Sequence, residues 1–403
     1  MSIATAITTH AVPRSRAKPD RYKTLDTFAQ ALSYIQSSYV KRVDERRLLY
    51  GAIKGMITEL DPHSSFFTPR RYRYLREDTE GEFAGVGITL RDNKSATPVV
   101  DSVVSNSPAG RAGILAGDRL LSIDGAKTGV AARAGKRGWR ALLRGRVGSR
   151  LRLRILRRGW AKSRSFELVR RRIKVPTVER FNLESGIGYL SIKKFQEATS
   201  RDVERALRRL AARSGNRLQG LVLDLRNNPG GLLDQCVRVA DLFLSRGMIV
   251  SVVGRPGSKV ERHRARGAGS WSNFKMVVLV DRGTASAAEI VAGALQDNRR
   301  AKIVGTKTYG KGSVQTFIDL KDRSGLKLTT AHYYTPSGRS LEGVGIVPNI
   351  VVSSRRNWEG SKARVRNILG RRSALSAKLK KRLQEDLQLL RGYQILRAAL
   401  GSK

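Results

Sequence analysis

Apolar residues recur at two different periods along the chain, and the switches between them divide it. In 24–60, Leu25, Phe28, Ala29, Leu32, Ile35 and Tyr39 follow three-and-four spacing, as do Leu48, Leu49, Ala52, Ile53 and Met56, which predicts helices. Asp61-Pro62-His63-Ser64 should end the second, because the residue before proline is pushed out of the helical region. From 81 to 174 the texture changes to short apolar runs broken by glycine. The stretches 82–88, 99–104 and 151–156 read as strands, the last alternating with arginine so that one face is wet, and 107–114 reads as a turn and short helix. After Pro176, buried strands at 188–192, 221–225, 276–280 and 302–305 alternate with helices at 199–213, 232–245 and 286–297. Such alternation predicts a mainly parallel sheet covered by helices. Leu375, Leu379, Leu383, Leu387, Leu390 and Leu396 predict one more helix over 373–400.

Composition adds a charge problem to this picture. The 403 residues carry 78 Lys+Arg against 33 Asp+Glu, a net charge of +45, with 40% hydrophobic residues, so the chain is a folded protein and not a basic tail. The charge is uneven: 131–180 holds 18 Lys and Arg against 2 acids, and 354–403 holds 14 against 3. Alone it would suggest nucleic acid or an anionic surface, but aromatics are only 6% and no nucleic-acid module is visible, so nucleic acid is an unfavoured partner. The single cysteine, Cys236, excludes an internal disulfide framework. No His, Cys or carboxylate set has metal-ligand spacing, so neither metal nor cofactor is expected. Residues 1–20 lack the apolar stretch of a secretory signal; either the protein is cytoplasmic, or the sequence begins after its targeting segment.

Three segments can carry chemistry. Asp281 to Ile290 is a strand-to-helix turn containing Ser286, where unpaired amides at a helix start would hold an oxyanion beside a nucleophilic hydroxyl. Ser286 with Glu289 is equally a capping box. Tyr309-Gly310-Lys311-Gly312-Ser313-Val314-Gln315 sets a lysine between two glycines at the entry to a strand; in extended chain Lys311 and Gln315 share a face. A neutral lysine amine can act as general base for a serine, and a solvated turn lysine is the plain alternative. Leu225 to Gly231 ends a strand in a turn whose Gly230 and Gly231 amides are open to close approach, or which is an ordinary turn. The histidines give no competing triad: His10 lies in the unpatterned terminus, His63 in a helix-ending turn, His263 in a loop-like stretch, and His332 in a strand without an acidic neighbour.

Residues 81–174 closely resemble a PDZ domain, most specifically from Ser107 through Gly125. The three candidate segments, with Asp61 to Phe66 before the PDZ and Tyr333 to Arg339 after the lysine, lie in the order found in the carboxyl-terminal processing peptidases. The resemblance covers about 22–352. It implies a mixed α/β (α+β) fold: a crotonase/ClpP-like β-α core at 175–353, an N-terminal helical region at 22–80 after an unpatterned 1–21, a PDZ domain inserted at 81–174 and a basic C-terminal helical tail at 354–403. It further implies a serine endopeptidase with Ser286 as nucleophile, Lys311 as base and Gln315 as its orienting partner. The Ala287 amide and one from Gly230 or Gly231 would form the oxyanion hole. The PDZ would take C-terminal tails of protein substrates, apolar at the end, beside Gly85, Val86, Gly87 and Ile88. Arg170 aligns with a position coupling PDZ occupancy to the catalytic site. The family tendency is to dimerise through terminal helices and to work outside the cytoplasm.

Departures touch the surroundings of the dyad. The common Ser-Ala-Ser-Ala-Ser is Thr284-Ala285-Ser286-Ala287-Ala288 here, and Glu342 and Asn349 stand where Gln and Asp are expected. Two other classes compete: a catalytically silent PDZ adaptor, and a basic protein that binds nucleic acid or an anionic surface such as lipid or cell-wall polymer.

Overall fold

The computed structural model describes residues 21–91, 97–128, 142–184, 186–258, 260–267, 271–353 and 376–401. They fall into two units, one ending at Phe66 and one beginning at Phe67. In the first, α1 (Arg21–Ser38) and α2 (Glu45–Thr58) occupy the predicted helical stretch. Asp44 caps α2 by accepting the Arg47 amide at 3.2 Å. After α2 the Asp61 carboxylate accepts the amides of His63 and Ser64, at 2.6 and 2.8 Å, which fixes the turn at Pro62. Strand β1 (Ser65–Phe67) follows.

The second unit begins with α3 (Pro69–Glu80), which starts on proline and ends on Gly81 in the left-handed region, φ 79°. The PDZ region then runs β2 (Glu82–Gly85), β3 (Ile88–Leu90), β4 (Val100–Val103), α4 (Pro108–Arg111), β5 (Arg119–Ile123), β6 (Ala126–Lys127), β7 (Arg150–Leu156), β8 (Arg164–Val169) and β9 (Arg171–Lys174). In β7, Leu151, Leu153 and Ile155 are buried while the arginines between them are exposed, as the alternation requires. They join Val86, Ile88, Val100, Ile114 and Leu168 in a separate core. Among the described residues β3 pairs with β4 alone.

The remaining elements are β10 (Val178–Glu184), β11 (Ile187–Ile192), α5 (Thr199–Ala212), β12 (Gly220–Asp224), α6 (Leu233–Asp241), β13 (Met248–Val253), β14 (Glu261–Arg264), β15 (Lys275–Val280), α7 (Ala287–Asp297), β16 (Lys302–Gly305), β17 (Ser313–Asp319), β18 (Gly325–Tyr334), β19 (Ile350–Val351), α8 (Ala377–Glu385) and α9 (Leu387–Gly401). A six-stranded sheet has the order β10-β11-β12-β15-β16-β19, parallel except for the β10–β11 pair. Every residue of β11 and β12 is buried because helices cover both faces. On one face α5, α6 and α7 pack through Val203, Leu207, Leu210, Val239, Val291 and Leu295. On the other, α8 and α9 pack through Leu383, Leu390, Tyr393 and Leu396 against Tyr189, Val222 and Leu279.

The sequence and the structure differ in three details. The helix predicted over 232–245 stops at Asp241, where Phe243 and Leu244 turn back onto Ala240 and Asp241 before Gly247, φ 106°. The tail is two helices, because Asp386 leaves the helical region and caps a new one through the Leu389 amide at 3.0 Å; Leu375 and the rest of 354–375 lie outside the described residues. His263, expected in a loop, sits on β14. Among the described residues no helix is long and apolar enough to cross a membrane, and no group of His, Cys, Asp and Glu is arranged to hold a metal ion.

Candidate active site

The parallel strands β12 and β15 end side by side, and each runs into a tight turn at its carboxyl end. After β15 the turn delivers Ser286 to the start of α7 with φ 54° and ψ −120°, a region that a non-glycine residue occupies at a cost of about 1–3 kcal/mol. The capping box expected from the sequence is present, with Glu289 as its acidic member; an ordinary N-cap is extended, so a cap alone does not account for this φ,ψ. What holds it is Glu289. Its side chain is fully buried one turn into α7, and the Ser286 amide donates to its Oε2 at 2.7 Å.

The same carboxylate collects the lysine segment. Glu289 Oε2 accepts the Lys311 amide at 2.8 Å, and Oε1 accepts the Gly310 amide at 2.7 Å and the Thr308 hydroxyl. One buried oxygen therefore binds the backbones of Ser286 and Lys311, two hydrogen bonds apart, although they stand in different segments of the chain. Thr308 Oγ1 also accepts the Ile346 amide at 2.7 Å, which adds the 341–346 turn to the cluster. Charge-assisted hydrogen bonds of this kind are about twice as strong as neutral ones. The Glu289 role was legible only as a cap, since the sequence does not show that segments 308–311 and 286–289 meet.

The glycine turn after β12 is stapled to the serine turn from the other side. Thr284 Oγ1 donates to the Leu225 carbonyl at 2.9 Å, Ala285 N–H donates to the Asn228 carbonyl at 2.9 Å, and Asn227 N–H donates to Asp281 Oδ1 at 2.9 Å. Gly230, φ 99°, lies directly on the nucleophile turn: a Cβ there would stand 2.8 Å from Ser286 Cβ and 3.0 Å from the Ala287 amide nitrogen. Its own N–H is taken by Asn228 Oδ1 at 2.9 Å. The amides of Ala287 and Gly231 find no acceptor among the described residues. Of the two glycines named from the sequence, Gly231 is the one with a donor to spare.

Lys311 is partly buried, and its ammonium has no hydrogen-bonding or ion-pair partner among the described residues. Gln315 sits on β17 with its amide N–H directed to Thr329 Oγ1 at 2.9 Å, while its Oε1 is buried without a partner, as is Ser313 Oγ. A β-bulge between Val314 and Gln315 interrupts the plain alternation expected there. Gln315 is thus anchored by its nitrogen and has its acceptor oxygen open.

Beneath the glycine turn lies a network that sequence reasoning missed. The Arg226 guanidinium bridges Asp224 and Asp386 and also donates to Gln388 at 3.1 Å, while the Tyr189 hydroxyl donates to Asp224 Oδ2 at 2.7 Å. Burial alone would lower the Arg226 pKa; its hydrogen bonds to Asp224 and Asp386 overcome it and raise it. The Tyr189 hydroxyl is raised by burial and by Asp224. The network ties the α8–α9 junction to the residue before Asn227. The Cys236 thiol, fully buried, is pushed well up by desolvation and is no nucleophile.

Of the PDZ residues named from the sequence, Val86, Gly87 and Ile88, but not Gly85, line a groove of about 240 Å³, in which Phe83, Val86, Ile88, Leu90 and Leu143 form the apolar wall. Gly87, φ 84°, is required there, because a Cβ would meet Ser107 Cβ at 2.2 Å. Gly85 pairs with Arg171 across β2 and β9. Arg144 closes one side, paired with Glu77 at 3.1 Å and lying over the rings of Tyr74 and Phe83. Arg170 donates to Ser149 Oγ, the Arg150 carbonyl and the Leu142 carbonyl at 3.0, 2.9 and 2.9 Å, so it braces the segment that carries Leu143 and Arg144. Among the described residues its side-chain partners all lie within the PDZ region.

Residues 186–352 match peptidase family S41, 99–157 match a PDZ domain, and 3–69 match the N-terminal domain of the activating protease CtpB. The carboxy-terminal-processing protease of Bartonella bacilliformis is 43% identical over 334 residues, covering 82% of this chain and 75% of that protein. The carboxyl-terminal-processing protease of Synechocystis sp. is 36% identical over 325 residues, 79% of this chain and 74% of its own. In fold, the chain is similar to a Bacteroides fragilis protein whose solved structure is assigned to the S41 proteases, with a TM-score of 0.52 and 20% identity over 84% of this chain and 92% of the other.

Proposed function

Because the chain belongs to the carboxyl-terminal processing peptidases of family S41, a serine peptidase family acting on proteins and here carrying a PDZ domain, we propose that Ser286 is its nucleophile and Lys311 its general base. The Ser286 hydroxyl attacks the scissile carbonyl while the neutral Lys311 amine takes its proton. The oxyanion is held by the Ala287 and Gly231 amides. Lys311 then returns the proton to the leaving amine, and water releases the acyl group from Ser286 by the same route. Gln315 Oε1, a buried acceptor with no other partner, orients the ammonium form between these steps.

The observation that carries this reading is the shared oxygen of Glu289, which brings the Ser286 and Lys311 backbones together. A silent PDZ adaptor is not favoured, since it gives no reason for a strained serine held by a buried carboxylate beside an unpaired lysine. Cleavage of a protein substrate with an apolar C-terminal tail tests the assignment. Ser286→Ala and Lys311→Ala should each lower kcat by about 10⁴-fold or more, and undiminished cutting by either variant would overturn it.

The tail adds along the edge of β3 opposite β4, its carboxylate at the amides of Gly85, Val86 and Gly87 and its apolar side chains against Val86, Ile88, Leu90 and Leu143. Arg170 transmits occupancy by bracing Leu142, through which the groove wall moves. The family's usual setting supports work outside the cytoplasm. A second copy is met through α1, whose Leu25, Phe28, Tyr34 and Ile35 are exposed, as is Tyr39 just after it, whereas the apolar side of α9 is already buried on the sheet.

A further inference from the structure

The arginine-rich face of α5 takes no part in the chemistry above. Arg201, Arg205 and Arg208 stand at i, i+4 and i+7, so they form one exposed stripe along the helix. With Lys174, Ala198 and one carboxylate, Glu204, they line a trough of about 330 Å³. Beside it, Arg180, Arg205 and Arg209 line a second depression of about 200 Å³. Two acids answer part of this charge: Asp202 pairs with Arg205, and Glu204 with Arg208 at 2.7 Å. Lys174, Arg180, Arg201, Arg209 and Arg213 have no carboxylate within 4.0 Å among the described residues. The cost is visible at Arg180, whose pKa is lowered by burial and then by the charges of Arg209 and Arg213.

The trough adjoins the PDZ groove. Val175 and Gln196 line the groove, and their neighbours Lys174 and Ala198 line the trough. Residues upstream of a tail held in the groove are therefore the ones able to reach it. From Arg201 to Arg208 the helix rises about 10 Å, while side chains on one side of an extended peptide repeat about every 6.8 Å. The stripe thus fits about two alternate carboxylates, one at Arg201, which has no carboxylate partner among the described residues, and one at Arg205 and Arg208, which share theirs with Asp202 and Glu204. The trough's lining contains no aromatic side chain for base stacking and no apolar anchor larger than alanine for a bilayer.

We propose that this trough binds an acidic stretch of the substrate upstream of its C-terminal tail, so that the enzyme selects proteins with carboxylates ahead of an apolar end. The proposal rests on the peptidase reading. Two fluorescent peptides with the same tail, one with alternating Glu upstream and one with Gln, test it by anisotropy with the full chain. The acidic peptide should bind about tenfold more tightly at low salt, the worth of about two exposed ion pairs, and the preference should vanish near 0.5 M salt. Arg201→Glu with Arg208→Glu should reverse the preference, and Arg201→Gln with Arg208→Gln should bring the ratio close to one. Equal binding to the unaltered protein, or a ratio surviving both double variants, overturns the proposal. Equal binding together with tight binding to phosphatidylglycerol vesicles also overturns it and assigns the face to lipid. Failure to cut either peptide, with the binding ratio intact, would count against the peptidase reading and leave the trough standing.

Discussion

Around Ser286 three turns are tied together by hydrogen bonds, whereas among the described residues β3 pairs with β4 alone. In the peptidase core three turns from distant parts of the chain are locked by Glu289, Thr284, Asp281 and Thr308, and the amides left over are those of Ala287 and Gly231. In the PDZ region the groove is apolar, bounded by Arg144 and Glu77, and held by glycine at one forced position, Gly87. Chemistry demands reacting groups fixed to fractions of an ångström, so the core over-determines its serine. Recognition of many tails demands an edge that any backbone can extend.

If that contrast holds, mutations in the core should act on kcat and mutations in the groove on KM. The largest effect after loss of the dyad itself is expected for Glu289→Gln. It removes one of two acceptor oxygens and presents an NH₂ to donors, so misplacement of Ser286 and Lys311 should lower kcat by about 10²-fold with KM little changed. An equal change in both parameters would break the distinction. Gly230→Ala comes next. Its Cβ would press on Ser286 Cβ at 2.8 Å from a backbone with φ 99°, and a kcat loss of about tenfold and a destabilisation of about 1–3 kcal/mol are expected in kinetics and in denaturant melts. Gly87→Ala should instead raise KM for a tail-bearing substrate by about tenfold, the worth of about 1.4 kcal/mol of tail binding, because its Cβ collides with Ser107 and distorts the loop.

The smallest expected effect is on stability against pH. Burial opposes ionisation of Asp118, but hydrogen bonds from Arg157 and the Leu115 amide outweigh it and hold the carboxyl below its ordinary range. Asp297 is likewise lowered, burial being outweighed by Ser337, Thr335 and Arg339. A depressed folded-state pKa stabilises at neutral pH and loses that contribution as pH falls through the folded value. Both regions should therefore melt more easily below about pH 4, and Asp118→Asn should flatten the acid dependence. An unchanged slope in that variant would remove Asp118 from the account.

The sequence makes the elements readable and their meeting points mostly unreadable. Periodicity finds α1, α2 and the alternating strands and helices of the core because apolar spacing reports which face is buried. It misses the break at Asp386, where a capping side chain restarts a helix with no change in the leucine pattern. Ser286, Lys311 and the glycine turn stand out by local oddity, a lysine between glycines and a serine among alanines. Glu289 looks like a helix cap because its partners Gly310 and Lys311 are remote in sequence, and Arg226 looks like a turn residue because Asp386 is further still. The +45 charge changes meaning in the same way: in the dyad it is the lysine proposed as base, while on α5 it becomes a patterned surface.

The central claim is that Ser286 is the nucleophile and needs Lys311. It is tested most directly by reacting the protein with an acylating active-site probe and mapping the modified residue by mass spectrometry. Acylation at Ser286, lost in Lys311→Ala, is the result expected. Acylation of another residue, or an unmodified Ser286 in a preparation that still cuts its substrate, would contradict the account.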